Sequence, residues 1–463
     1  MHGPTEPHCR SAAAALIAAA IIVAATPCRG QQAQRIALLN DTLYLSLHDA
    51  AIAGRERSPL SISAGARARE ARAQVGTARS ELLPHIALTA EHITESYSRQ
   101  ALGLAAPNLP PPQLPPILGP FQDQDARPSF TVHLLDVATF EQVHVASTAA
   151  TAAAYDSAAS GEDNADSAAR AYLQLSAAES LLSLRERLVL LTDSVLTYAR
   201  ARYNAKIVGV LDVIRAQTES VTATSGATRA MSDRDQARTT LLRLIVQPMD
   251  RPVRLTDTLG LEAPTVDSSD DVLIAAALSR RPELHGDEAR LAAARHALRA
   301  AHDAWLPTID AAGDYGFNGR WLVGAGPSDP IVRTQSLSVG ARWEVFDGGR
   351  REAGTEIGRQ RVVQAASNLR DRRDRIESEV RNAAIALRAE RRLTLDAARD
   401  ALLEAQELRD ATALYRRGLA TSTDLTDAES RYISAQEGVV TTLLAYNEAR
   451  LALLRAVSAL DAL

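Results

Sequence analysis

Leu83-Pro84-His85-Ile86 recurs about 220 residues further along the chain as Leu306-Pro307-Thr308-Ile309. A second proline stands 25 residues before each copy, at Pro59 and at Pro282. Proline disfavours helix in the residue that precedes it, so each Leu-Pro predicts the end of a helix. The spacing indicates an internal duplication, and each copy of a long repeat is usually one structural unit that needs its sister to bury its apolar face. The predicted division is a signal segment at 1–30, a first repeat at 31–247, a linker or equatorial segment at 248–268 and a second repeat at 269–463.

The hydrophobic period changes after each Leu-Pro. The clearest alternation lies in the second repeat, where Leu337, Val339 and Ala341 are separated by polar or small residues and the pattern continues to Val345. Segments of about ten residues with one apolar and one polar face are typical of outer-membrane strands, although soluble sheets show them too. We predict a β-hairpin at about 85–136 and another at about 308–346. Each is closed by a loop, rich in proline at 107–128 and in glycine and proline at 319–330, and the first is not expected to be helix or central strand. A flexible linker or polyproline ligand is the alternative for the first loop.

A very long helical stretch follows each predicted hairpin. These stretches and their return helices are predicted at 139–205 with 211–246, and at 350–417 with 422–460. Also, residues 43–83 and 269–305 are predicted as helices broken near their prolines. At a rise of about 1.5 Å per residue, ~65 residues reach roughly 100 Å. Aromatic residues make up only 4% of the 463 residues, which favours elongated helices over a large globular core. The predicted fold class is therefore mainly α with a membrane β-barrel to which each chain gives four strands.

Residues 1–30 have the pattern of an export signal. Arg10 precedes an apolar core from Ala12 to Ala25, which is shorter than the ~20 apolar residues that span a bilayer. Cleavage after Gly30 and lipidation at Cys28 are alternative ends of this signal. The chain has 2 cysteines, both in this segment, so no disulfide and no cysteine-based zinc site is predicted in the exported part.

Several function classes are disfavoured by the rest of the chain. The formal net charge of -5 is small and the signs are interspersed, so no nucleic-acid partner is predicted. The histidines have no metal-ligand spacing and no phosphate-binding pattern opens a helix, so no cofactor, metal or enzyme activity is predicted. No later segment is apolar for long enough to form a membrane helix, and four strands are too few to close a barrel. Membrane residence would thus require several copies to pool their strands, and three copies would give twelve.

Trp343-Glu344-Val345-Phe346-Asp347-Gly348-Gly349-Arg350 stands where the second hairpin changes to the long helix. Together with the doubled plan, the Leu-Pro switches and the Tyr-x-x-Gly at 415–418, this run resembles the TolC family of outer membrane efflux channels. The first repeat keeps only Leu135-Asp136 of it. The resemblance implies a homotrimer with one shared twelve-stranded barrel in outer-membrane lipid and an α-helical tunnel across the periplasm. It also implies two partners, a periplasmic adaptor (membrane fusion protein) and an inner-membrane pump of the RND or ABC type.

The function that the resemblance implies is the outer-membrane exit channel of a tripartite efflux system, passing small molecules or ions to the exterior. The exit duct of a type I protein secretion system is an alternative of the same class. A secreted coiled-coil scaffold without a pore is the alternative from another class. The substrate is not predicted.

Two acidic residues are the predicted gate. In the family, acidic rings narrow the periplasmic mouth just after the second Tyr-x-x-Gly turn, and Asp424 and Asp427 stand at the matching positions. They are three residues apart, so both can lie on one helical face. Three copies would place negative charge at a constriction, which favours cations. The alternative is that Asp424 only caps its helix, and both roles are compatible.

A tyrosine and an acid are the predicted latch. Tyr415 matches a family tyrosine that ties the inner hairpin to the outer one, and Asp212 matches its acidic partner. A buried helix aromatic and a helix cap are the alternatives. Gly418 and Lys206 are predicted at the two tunnel-tip turns. Lys206 replaces a turn glycine, and Ala420 stands where some members have a latch arginine, so details of closure can differ.

Overall fold

A computed structural model of the chain describes residues 42–101, 115–261, 269–322 and 332–462. The first repeat contains, in order, β1 (Leu43–Leu45), α1 (Leu47–Arg57), α2 (Pro59–Ser80), β2 (His85–Ser98), β3 (Ile117–Leu135), α3 (Val137–Asn204) and α4 (Val210–Leu244), and it is followed in the linker by β4 (Val253–Leu255). The second contains α5 (Asp270–Arg280), α6 (Pro282–Asp303), β5 (Thr308–Leu322), β6 (Val332–Arg342), α7 (Arg350–Arg416), α8 (Ser422–Ala456) and a terminal 3-10 turn (Leu460–Ala462). The predicted signal with Cys28 lies outside the described residues, as do residues 102–114 and 323–331 between the strands of the two hairpins.

Pro59 and Pro282 occupy equivalent positions in the two repeats, as the duplication predicts. Pro59 and Pro282 each occupy the first turn of a helix, where the missing N–H costs nothing. Ser58, the residue before Pro59, accepts a hydrogen bond from the Leu60 N–H with its side chain. Each broken helix pair therefore consists of a helix of 11 residues followed by one of 22.

The two hairpins form one antiparallel four-stranded sheet in the order β2-β3-β5-β6. The central pair, β3 with β5, joins the two repeats, and β2 and β6 are the edges. One row across the sheet is Ile86, Phe130, Gly313 and Leu337, and the neighbouring row is His85, Thr131, Ala312 and Ser338. Since opposite partners share a face and successive residues alternate, the sheet has one apolar and one polar face.

Gly313 belongs to the apolar row of the sheet but contributes no side chain to it. A Cβ at this position would be 2.6 Å from Cε1 of Phe130, so the phenyl ring covers the glycine directly. The ring fills the gap that the glycine leaves in the row, an arrangement that pins strand register.

The buried core lies where the shorter helices pack on the long ones. Its largest cluster is built from α5, α6, α7 and α8, around Ile376, Val380 and Tyr446. The first repeat has a corresponding cluster around Tyr172, Leu241 and Leu242. Arg455 of α8 crosses between the repeats and pairs with Glu162 and Asp163 of α3 and Glu283 of α6.

Three local expectations were wrong. The proline-rich insert predicted as a loop up to Pro128 is strand from Ile117 onwards, because it forms part of β3, a central strand of the sheet. Residues 43–45 do not begin a helix but form β1, which pairs in parallel with β4 of the linker. The last strand stops at Arg342 rather than near 346, because the chain bends there and the Trp343 indole N–H donates to the Trp305 carbonyl at 3.1 Å. Among the described residues, no helix combines the length and apolar character needed to cross a membrane.

Candidate functional site at the tips of the helical hairpins

The two long hairpins turn with the same backbone geometry. Gly418 has φ +77° and Lys206 has φ +61°, both in the left-handed region. At each turn two N–H groups reach back to the last helical carbonyls: Gly418 to Tyr415 and Leu419 to Leu414, and likewise Lys206 to Tyr203 and Ile207 to Arg202. This is the Schellman arrangement, which satisfies carbonyls that a helix end leaves free. The predicted turn residues are thus equivalent, with Lys206 holding a conformation that glycine adopts more easily.

The tips of the two hairpins lie side by side. The Tyr198 hydroxyl of α3 donates to the Arg416 carbonyl at the end of α7, at 3.5 Å. Deeper along the hairpins, Leu188 of α3, Ala223 of α4 and Ile433 of α8 form a small apolar cluster. The second hairpin therefore packs on the first through α8.

Asp424 caps the first turn of α8. Its carboxylate accepts from the Thr421 N–H at 2.8 Å and from the Thr421 hydroxyl at 2.7 Å, and its own N–H donates to that hydroxyl at 3.2 Å. These hydrogen bonds from the Thr421 backbone and side chain hold the pKa of Asp424 below its ordinary value, so the carboxylate is charged at neutral pH. Asp424 therefore caps α8, as the alternative interpretation holds, and its carboxylate remains charged.

Asp427 lies one turn further and is exposed, as is Asp424. Leu425 and Ala428, by contrast, are 2% and 1% exposed. The two aspartates thus lie outside the buried stripe of α8.

Tyr415 and Asp212, the predicted latch pair, line the same cavity at the junction of the hairpins. Tyr415 is 5% exposed, and its ring makes an edge-to-face contact with Tyr198 at a centroid distance of 5.7 Å. The guanidinium carbon of Arg202 lies 5.3 Å from the centroid of the same ring. Tyr415 is therefore both a buried helix aromatic, as the alternative holds, and a neighbour of Asp212.

Glu429 is a site residue that the sequence analysis missed. It lies on the buried stripe of α8, is 3% exposed and lines the cavity of Tyr415 and Asp212. Burial, and then the nearby negative charge of Glu219, raise the pKa of Glu429 to about 7. The spacing from Leu425 gave the available signal, because residues four apart share a helix face.

The predicted strand-to-helix switch is held together by a second set of side-chain contacts. Asp347 accepts from the Gly349 N–H at 3.2 Å, the Arg351 N–H at 3.1 Å and the Arg351 guanidinium at 3.0 Å. Gly348 and Gly349 have φ +71° and +88°, which explains the glycine pair. Arg350 extends to Glu344 at 2.9 Å, and Phe346 is 85% exposed.

Arg351, just after the predicted motif, completes this switch. Its side chain is buried, and its guanidinium carbon lies 4.4 Å from the centroid of the Trp305 ring, at the end of α6. The first repeat has a simpler version, in which Asp136 accepts from the Thr139 N–H at 3.1 Å. In both repeats an aspartate thus caps the long helix directly after the sheet.

These features define a class of protein: an elongated, internally duplicated chain that joins a four-stranded antiparallel sheet to two long helical hairpins. The sequence profile of the outer membrane efflux protein family matches residues 55–246 and 273–459, one segment in each repeat and most of the chain together. The chain therefore belongs to the outer membrane efflux protein family.

Solved structures share this fold. A membrane protein from Pseudomonas aeruginosa has a TM-score of 0.75 at 18% identity, covering 89% of this chain and 92% of its own. The Campylobacter jejuni CmeC outer membrane channel has a TM-score of 0.75 at 16% identity, with coverage of 89% and 85%. The open state of the Neisseria gonorrhoeae MtrE outer membrane channel has a TM-score of 0.72 at 20% identity, with coverage of 89% and 88%. At these identities the likeness shows the fold alone.

A curated relative is the outer membrane efflux protein BepC of Brucella suis. It is 25% identical over 274 residues, which are 59% of this chain and 58% of BepC. The match therefore spans less than two thirds of that relative's length.

The family match confirms the predicted resemblance and the outer-membrane efflux class, and the family is one of channels rather than enzymes. The predicted fold class is confirmed by the mainly helical chain and by its likeness to solved channels. The type I secretion alternative is not favoured, because the matched proteins are efflux proteins. A scaffold without a pore is not favoured either, since it gives no reason for the four-stranded sheet. The roles of Asp424, Asp427, Tyr415 and Asp212 stay predictions.

Proposed function

We propose that this chain is the outer-membrane exit channel of a tripartite efflux system, with an acidic gate at the hairpin tips. The observation that carries the proposal is the arrangement of the two repeats. Each gives two strands to a single sheet and one long helical hairpin to a single bundle, and the family match covers both. The helices of 67 and 68 residues would be about 100 Å long at 1.5 Å per residue.

The sheet supports a shared barrel. Its edges, β2 and β6, carry backbone groups that need partners in hydrocarbon, so copies of the chain would join edge to edge. Three chains would give a closed barrel of twelve strands, with the apolar row of Ile86, Phe130 and Leu337 against outer-membrane lipid. Trp343 and Phe346 are 64% and 85% exposed at the border between sheet and helix, where aromatic side chains commonly sit at a membrane interface.

The hairpin tips support the gate. Asp424 and Asp427 are exposed in the single chain and lie on a face of α8 outside its buried stripe. In a trimer of hairpins that face would line the mouth, and six carboxylates would favour cations there. The tunnel itself would be held by a periplasmic adaptor and supplied by an inner-membrane pump of the RND or ABC type.

The gate is tested by single-channel recording in planar bilayers with the double variant Asp424→Asn and Asp427→Asn. Asparagine removes both charges and keeps a side-chain oxygen that can cap α8, so loss of folding is avoided. We expect the variant to lose cation preference and blockade by multivalent cations. Asp410→Asn, an exposed charge on α7, is the control and should behave as the wild type.

Two results would count against these proposals. Unchanged selectivity and blockade in the double variant would remove Asp424 and Asp427 from the gate. A wild-type protein that inserts into bilayers without any conductance would contradict the channel itself.

A further inference from the structure

We propose that Glu429 is a proton-binding switch that sets how firmly the second helical hairpin (α7 and α8) packs on the first (α3 and α4). Binding of a proton holds the hairpins together, and its loss favours their separation at the tips. The consequence for opening rests on the proposed channel function, whereas the movement of the hairpins does not.

The position of Glu429 is the first observation. The residue is 3% exposed and lies on the stripe of α8 that also buries Leu425, Ala428 and Ile433. A charged residue is rarely buried this deeply unless it is paired. Its Oε1 atom is buried and has no hydrogen-bond partner within the described part of the chain.

The groups around Glu429 do not neutralise it. From α4 the cavity is lined by Asp212, Arg215 and Glu219, from α3 by Thr192 and Val195, from α7 by Tyr415, and from α8 itself by Thr426. Two of these side chains are carboxylates, and Arg215 is the one cation among them and is exposed. The Thr192 hydroxyl donates to carbonyls of its own helix, Leu188 and Val189, both at 3.1 Å.

The cavity is too small for a ligand other than a proton or one water. Its volume is about 10 Å³, near the ~10–15 Å³ that a single water molecule needs. No cluster of three or more metal-ligating side chains occurs in the described ranges. A proton is thus the ligand that this site fits.

The direction of the effect follows from linkage. In the packed state burial and Glu219 raise the pKa of Glu429 to about 7, while a carboxyl exposed by separation of the hairpins would return towards 4.5. The packed state therefore binds the proton more tightly and is favoured below pH 4.5. It loses stability as pH rises from 4.5 to about 7 and is least favoured above that. The equilibrium can change about tenfold per pH unit over this window, or roughly 300-fold in each chain.

Spin-label distance measurements test the movement directly. Cysteines replace the exposed residues Thr218 on α4 and Ser434 on α8, in a background with Cys9→Ala and Cys28→Ala. The full-length protein is measured between about pH 4 and about pH 8, a range that brackets the expected titration. The wild type should shift from a short to a longer distance as pH rises.

Three variants identify the group responsible. Glu429→Gln mimics the protonated side chain and should keep the short distance at every pH. Glu219→Gln removes the neighbouring charge and should lower the midpoint of the transition. Glu407→Gln breaks an exposed ion pair with Arg431 on the same hairpin and should titrate as the wild type does.

A wild-type distance that does not change with pH, or a Glu429→Gln variant that titrates normally, would overturn the switch. If Glu429→Gln fails to fold, an unmoved midpoint in Glu219→Gln would overturn it equally. Bilayer conductance of the same proteins is recorded in parallel. Loss of all conductance would count against the channel, and the distances would still decide the switch.

Discussion

Arg455 gives the sharpest test of how the two repeats are held together. Its side chain is 11% exposed and donates to Glu162 at 2.9 Å, to Asp163 at 2.7 Å and to Glu283 at 2.5 Å. Glu162 and Asp163 belong to the first repeat, and Glu283 and Arg455 to the second. We predict that Arg455→Met, which keeps most of the apolar stem, strongly destabilises the protein.

The magnitude follows from burial. Removing one partner of a buried ion pair leaves uncompensated charge and typically costs about 3–5 kcal/mol. Glu162, whose side chain is 19% exposed, would be left in that condition, whereas Glu283, 17% exposed, would keep the Arg281 guanidinium at 3.5 Å as its remaining partner. Exposed pairs are worth about 0–1 kcal/mol, so Arg373→Met, which removes an exposed pair with Glu288, should cost much less.

The pH dependence of this loss of stability is a second test of the role of Arg455. Burial already raises the pKa of Glu162, whereas for Glu283 burial is outweighed by the charge and hydrogen bond of Arg455, which hold its pKa below the usual value. Without Arg455, protonation of these two carboxyl groups would stabilise the folded protein. The loss caused by Arg455→Met should therefore be largest near neutral pH and should shrink as pH falls towards the ordinary carboxyl range.

The assay is denaturant unfolding of the purified protein in detergent, followed by far-UV circular dichroism at several pH values. Adding Glu162→Gln and Glu283→Gln to Arg455→Met should recover part of the loss at neutral pH. A loss no larger than that of Arg373→Met, or one that does not vary with pH, would refute the idea that Arg455 compensates buried charge.

Two further predictions concern the hairpin tips. Tyr415→Phe keeps the buried ring and removes the hydroxyl, so loss of the predicted latch should raise the entry of large antibiotics into cells. Tyr203→Phe, at an exposed tyrosine of α3, is the control, and equal permeability of the two strains would contradict a latch role for Tyr415. Gly418→Ala should cost about 1–2 kcal/mol, because an L side chain is strained at φ +77°, whereas Lys206→Gly should be neutral or mildly stabilising since it relieves the same strain. Equal effects of these two substitutions in the unfolding assay would contradict the equivalence of the turns.

Local signals predicted most of the fold. The Leu-Pro pairs, the alternation of Leu337, Val339 and Ala341, and the long helical stretches are properties of neighbouring residues, and the helices and strands follow them closely. The β1–β4 pair was missed because each strand has only three residues and its partner lies about 210 residues away. No local period can show such a contact.

The residues of the candidate site also divide into those that the local sequence predicts and those that it does not. Asp424 and Asp427 could be found because they follow the Gly418 turn at fixed spacing. The burial of Glu429 depends on α3 and α4, which approach it only in the folded chain. Its sequence neighbourhood shows an acid on the same helix face as Leu425 and does not show what covers that face. Arg455 is similar, since its partners come from positions about 170 and 290 residues away.

The contacts along α8 indicate where the second hairpin can move. Near its C-terminal end, Tyr446, Leu451 and Leu454 are at most 2% exposed, and Arg455 binds three carboxylates there. Towards the tip the contacts of α8 with the first hairpin include the Arg185–Glu437 ion pair, the small cluster of Ile433 and the cavity of Glu429. Since the end beside the linker is fixed by apolar burial and paired charge while the tip holds an unpaired buried acid, separation of the hairpins should begin at the tip. A motion of this kind leaves the Arg455 network intact, so a protein weakened by Arg455→Met should keep the pH response that Glu429→Gln abolishes.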